Sequence, residues 1–168
     1  MTKIKDSSKR KLPKTKGEWF WDIIGYSAYI GSIIFLFVIW DRLPEEVPAH
    51  YNASGEVDRY GDKQELFILP VVGAFIAVFM QVFERFPEVH NYPSRLNESN
   101  AGQFYLLSRK LVNQIKNISL ILFAIILMES VSIALEWGNG LGAWFLPIAL
   151  LSVFIPIVVC IIKQKKIK

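Results

Sequence analysis

Four long apolar stretches separated by polar segments set the pattern of the chain: residues 19–40, 66–83, 118–135 and 143–162. Each is about twenty residues long, and as an α-helix would cover roughly 27–33 Å, enough to cross the hydrocarbon core of a bilayer. A backbone in hydrocarbon must satisfy its own hydrogen bonds, so the stretches are expected as membrane-spanning helices. Pro70 and Pro147 fall early in their spans, where a missing N–H matters least. The pattern predicts an all-α membrane protein, a four-transmembrane-helix bundle. It reads as a single membrane domain over 19–162 between basic tails at 1–18 and 163–168.

The connections are unequal. Residues 41–65 contain Leu43-Pro44 and Val47-Pro48, which disfavour a helix and extend the chain before each proline. Segments 49–52 and 57–60 are candidates for two short strands of a β-hairpin, with Gly55 supplying a positive φ in the turn between them. A hairpin alone is marginal, so it should lean on the helix ends. The connection 84–117 starts irregularly at Pro87 and Asn91-Tyr92-Pro93. Phe104, Leu107, Leu111 and Val112 then recur at i, i+3, i+7 and i+8, predicting an interfacial helix that runs into the third span. The last connection is the glycine-rich turn 138–142.

Composition sharpens this picture. Of 168 residues, 52% are hydrophobic and only 20% charged, which argues against a soluble enzyme domain. Cys160 is alone, so no intrachain disulfide scaffold is available, and two histidines are little material for a metal site. Sixteen of the nineteen Lys and Arg residues fall in the tails and in 84–117, against three (Arg42, Arg59, Lys63) in 41–65. The positive-inside rule therefore expects both termini in the cytoplasm. Trp19 and Trp21 mark one boundary, and Trp40, Trp137 and Trp144 the other. The first stretch lacks a small-residue cleavage site beyond it and is expected as a retained helix. The net charge of +4 is split among segments beside the bilayer, so anionic lipid headgroups rather than nucleic acid account for it.

Within 41–65, the run Leu43-Pro44, Val47-Pro48, His50-Tyr51-Asn52, Gly55, Asp58, Tyr60-Gly61 and Lys63 resembles the domain of unknown function at the N-terminus of SdpI-type bacterial toxin-immunity membrane proteins. Asn91-Tyr92-Pro93, Asn100-Ala101, Tyr105 and Arg109 are similar to the same domain, and the likeness covers roughly residues 20–136. The resemblance implies a bacterial plasma-membrane protein, in some members conferring immunity to a secreted peptide toxin.

His50, Asn52, Asp58 and Lys63 form the densest polar group on one face and are the candidate ligand-binding residues. Equally, they are the residue types that knit an irregular loop together. A metal site lacks the HExxH or CxxC spacing, and no metal or cofactor is expected. Glu129 is the one carboxylate well inside a span, with Ser32 and Tyr29 at matching depth on the first span; it is expected to be buried, neutral and hydrogen-bonded against the first or fourth helix. Asp22 is expected to favour the N-terminal end of the first helix dipole, Cys160 to fill space, and Gly25 and Gly31 to permit close helix packing. The leading function is non-catalytic: sensing or neutralising an extracellular ligand, such as a peptide toxin, through the outer loop. The alternatives are an accessory subunit of another membrane protein and a small transporter using Glu129. Partners are the lipid bilayer, a peptide or membrane protein, and a second copy of this chain.

Overall fold

Thr15 opens the first helix with a reciprocal capping box: its hydroxyl accepts from the Glu18 N–H, and Glu18 accepts from the Thr15 N–H at 2.7 Å. The computed structural model describes residues 13–168; the basic tail expected at 1–18 lies outside the described residues up to position 12. Helix α1 spans Lys16–Ile39 and ends in a 3-10 turn, Trp40–Arg42. Strands β1 (Glu46–Tyr51) and β2 (Val57–Asp62) form an antiparallel hairpin, followed by a 3-10 turn and α2 (Ile68–Arg85). Helix α3 spans Ala101–Ala134 and α4 spans Phe145–Lys165. All four helices are long and apolar enough to cross a membrane, and the chain is a multi-pass membrane protein.

Helix α3 is the hub. It packs along α1 and α2 and touches α4, whereas α1 and α2 make only slight contact with each other. Its 34 residues extend about 51 Å, well beyond one hydrocarbon thickness. The helix expected in 84–117 and the third span are thus one unbroken element. Its N-terminal half turns Arg109, Asn113, Lys116 and Asn117 into the interior of the bundle. Gly25 is where α1 comes closest: a Cβ there would lie 2.3 Å from the Asn117 amide oxygen. Gly31, also expected to serve packing, faces open space, while Gly73 on α2 makes room for the Tyr29 ring.

The hairpin is longer than its two expected segments, beginning before Pro48, and its register slips around His50. Proline is tolerated because each strand of a two-stranded sheet is an edge. Gly55 adopts φ 76° as the turn requires. Its carbonyl accepts from the Leu141 N–H at 3.0 Å, so the hairpin tip rests on the 138–142 turn. Beneath it, Val47 joins Leu36, Ile39, Leu43, Leu66, Leu127 and Val131 in one buried cluster. The Tyr51 hydroxyl meets Ser130 Oγ at 2.8 Å, tying β1 to α3. At the opposite end His90 links α2 to α3: its Nδ1 lies 2.6 Å from Ser108 Oγ and its Nε2 3.1 Å from the Phe83 carbonyl. A neutral ring satisfies both, donating to the carbonyl from Nε2 and accepting at Nδ1. Burial accordingly pulls the His90 pKa below the ordinary histidine value.

Candidate functional site

The hairpin distributes the four expected residues over three arrangements. His50 Nδ1 meets Asp58 Oδ1 at 2.6 Å across the strands, with both side chains exposed. Asn52 Oδ1 accepts from the backbone N–H groups of Ser54 and Glu56 at 2.9 and 3.0 Å, which makes Asn52 the organiser of the turn. Lys63 is at the hairpin base, 2.9 Å from Glu45 and with its ammonium 5.4 Å from the centre of the Trp40 ring. Arg59 pairs with Glu65 at 2.8 Å beside them. Every one of the four therefore has a partner within the loop, as a loop-knitting role requires.

What makes this more than a knitted loop is the space beneath it. A cleft of about 320 Å³ lies between the hairpin, α2, α3 and the start of α4. Leu66, Ile68, Leu69, Ile126 and Phe145 contribute an apolar wall, while His50, Asn52 and Glu65 give it a polar edge. Apolar walls with a few placed polar groups are the usual make-up of a ligand pocket. Asp58 and Lys63 do not line it; Asp58 contacts it through His50, and neither Glu45 nor Trp40, the partners of Lys63, borders it.

Glu129 is placed differently from the expectation. It is half-buried, and its carboxylate accepts from the Gly140 N–H at 3.0 Å. Tyr29 donates to the Pro70 carbonyl and Ser32 donates to the Tyr29 carbonyl at 2.8 Å, so neither hydroxyl is its partner. Glu129 lies near the end of α3, close enough for its side chain to reach the N–H groups of the tight turn that follows. It also borders an open groove with Ser27, Ser32 and Ser132.

A second polar centre, at the end of the bundle where α1 begins and α4 ends, is absent from the sequence-based expectations. Glu18 Oε1 meets Arg109 Nε at 2.7 Å. Asp22 Oδ1 accepts from Asn113, Asn117 and Lys116 at 2.8, 2.9 and 3.0 Å. Glu84 on α2 meets Lys116 at 2.7 Å, and Lys14 closes the set against Asp22 and Glu84 at 2.5 and 2.6 Å. Asp22 is thus not a dipole charge at a helix start; it lies two turns into α1 and is held by side chains of α3. Spacing was the available signal: Glu18 and Asp22 are four apart on α1, and Arg109, Asn113, Lys116 and Asn117 follow at four, seven and eight on one face of α3. Lys14, Arg109 and Lys116, three of the sixteen cations in the tails and in 84–117, are paired with carboxylates here.

Residues 28–74 match the model of a domain of unknown function, DUF1648. The matched stretch runs from α1 through the hairpin into α2, and contains Tyr29, Ser32, His50, Asn52, Asp58 and Lys63 but not Glu129. An uncharacterised protein of Archaeoglobus fulgidus is 35% identical over 66 residues, covering 38% of this chain and 36% of that relative. The match thus spans about a third of the relative's length. No solved structure matches.

Proposed function

We propose that this multi-pass protein is non-catalytic and binds an extracellular ligand in the cleft under its hairpin, with both termini cytoplasmic in the plasma membrane. The observation that carries the reading is the cleft itself, about 320 Å³ with apolar walls and His50 and Asn52 at its polar edge. Charge favours a cationic ligand: residues 41–65 hold seven carboxylates against three basic side chains. A cationic, membrane-active peptide has both the charge and the apolar surface that such a site accommodates. Immunity to a secreted peptide of that kind, the role suggested by the likeness to SdpI-type proteins, is the specific form of the proposal. The second reading, an accessory subunit, draws on α4: among its residues only Cys160 is buried, so the face turned away from α3 is open to lipid or to another membrane protein.

The test has two arms. In a Cys160→Ser background, Ser54→Cys should react with an impermeant thiol reagent on intact cells, and Arg95→Cys only after permeabilisation. Cells producing the chain should then survive a panel of cationic membrane-active peptides better than cells without it. Phe145→Ala and His50→Ala, purified with wild-type melting, should abolish that protection. Equal protection by folded variants would remove the cleft from the function.

A further inference from the structure

The end of the bundle where α1 begins and α4 ends holds a site that the hairpin function does not use. We propose that Asp22 and Glu84, with the Trp19 ring beside them, form a primary-ammonium site, occupied by the chain's own Lys14 and open to a free primary ammonium when the segment 13–15 lifts away.

The Lys14 ammonium lies 2.5 Å from Asp22 Oδ2, 2.6 Å from Glu84 Oε1 and 5.6 Å from the centre of the Trp19 ring. Two carboxylates from different helices and an aromatic face are the chemistry that recognises an organic ammonium: charge-assisted acceptors for its N–H groups and a ring quadrupole for its charge. Burial lowers the affinity of the Lys14 amine for its proton, but the hydrogen bonds and charges of Asp22 and Glu84 outweigh it and hold the pKa above the ordinary lysine value. The occupant is a cation.

The walls stand without this occupant. Asp22 Oδ1 is fixed by Asn113, Asn117 and Lys116, and Glu84 Oε2 by Lys116. Those walls are deeply buried, with the Asp22 and Glu84 side chains 9% and 1% exposed, whereas Lys14 is 24% exposed and approaches from the surface. Lys14 also belongs to no helix; it precedes the Thr15 cap, on a segment tied by the Pro13 carbonyl accepting from Arg109 at 2.9 Å. Lifting that segment leaves Glu18 and Arg109 balanced, but among the described residues sets two buried carboxylates against Lys116 alone. An uncompensated buried negative charge strongly favours taking up a cation. The amides that hold Asp22 leave Asn113 Oδ1 and Asn117 Oδ1 fully buried and with no hydrogen-bond partner among the described residues.

The experiment uses the full chain in detergent micelles. Lys14→Ala should melt several degrees below wild type. Methylammonium chloride should restore most of that loss, with the midpoint rising with the logarithm of its concentration as for a specific ligand. Sodium chloride and tetramethylammonium chloride at equal ionic strength should not, because neither offers N–H donors. Equal shifts in all three salts would show screening alone and overturn the proposal, as would no shift in any. If Lys14→Ala can be purified folded only with methylammonium present, the same conclusion follows; no recovery in any of the three salts overturns it. The wild-type chain gives an independent reading through limited acylation. Lys14 should react far more slowly than the exposed Lys16, and equal rates would show that the site is not occupied in cis.

Discussion

At the hairpin His50 and Asp58 meet at 2.6 Å with side chains 64% and 43% exposed; at the other end of the molecule Lys116 and Glu84 meet at 2.7 Å with 0% and 1% exposed. The separations are nearly the same and the surroundings are opposite. Two unit charges at such distances interact weakly in water and several times more strongly where the effective dielectric is low. Exposed pairs are therefore adjustable and energetically minor. Buried pairs are inseparable, because removing one partner strands the other charge away from water. Each region suits a different task. The hairpin can rearrange around a ligand with little loss of stability, and the buried centre locks α1, α2 and α3 into one register.

Lys116 is where that contrast should be largest. Its ammonium bonds Asp22, Glu84 and Gln81 and is fully buried. Lys116→Met keeps the length of the side chain and removes the charge, leaving the carboxylates, among the described residues, with only the Lys14 cation. The expected loss is about 3–5 kcal/mol of unfolding free energy in detergent. The double variant Lys116→Met with Glu84→Gln should be more stable than Lys116→Met alone, since it removes the stranded charge as well. A double variant worse than either single would show that the pair acts through packing rather than charge.

The middle of the range belongs to Gly25, which lets α1 approach the Asn117 amide. A Cβ at 2.3 Å from Asn117 Oδ1 cannot be accommodated unless that side chain moves, and the same side chain donates to Asp22 at 2.9 Å. Gly25→Ala should therefore destabilise by roughly 1–3 kcal/mol, as overpacking does, despite the better helix propensity of alanine. Gly31→Ala is the control: with open space around it, it should be neutral or slightly stabilising. Equal melting of the two variants would mean that the α1–α3 approach is looser than its geometry.

The spans and the hairpin were legible because their causes are local. Twenty-residue apolar runs, paired prolines and a glycine at a positive-φ turn act through neighbouring residues, and each left its mark in the sequence. The buried centre depends on partners such as Glu18 and Arg109, 91 positions apart, which no local rule brings together. Its Lys and Arg residues also fit the basic bias expected of a cytoplasmic segment, and charge sign alone does not separate a buried cation from an exposed one. For Glu129 the depth was readable and the direction was not. Whether it turned toward α1 or toward the 138–142 turn depended on how that turn closes, and the Gly140 N–H decided it.

The smallest expected effect is at His50 and Asp58, and it sharpens the comparison from the other side. Their 2.6 Å contact is as short as those of the buried centre, so distance alone would rank it among the strongest. Exposure predicts otherwise. A double-mutant cycle on His50→Ala and Asp58→Ala should give a coupling of about 0.2–1 kcal/mol. Wherever the imidazole carries its proton, most of it should vanish in molar salt, where the screening length falls to about 3 Å. The same cycle on Glu18→Gln and Arg109→Met should keep most of its coupling in that salt, because ions do not enter the space between them. Were the hairpin pair to couple by more than about 2 kcal/mol and resist salt, it would have to be shielded from water in the working protein, and the hairpin would be a rigid cap rather than an adaptable one.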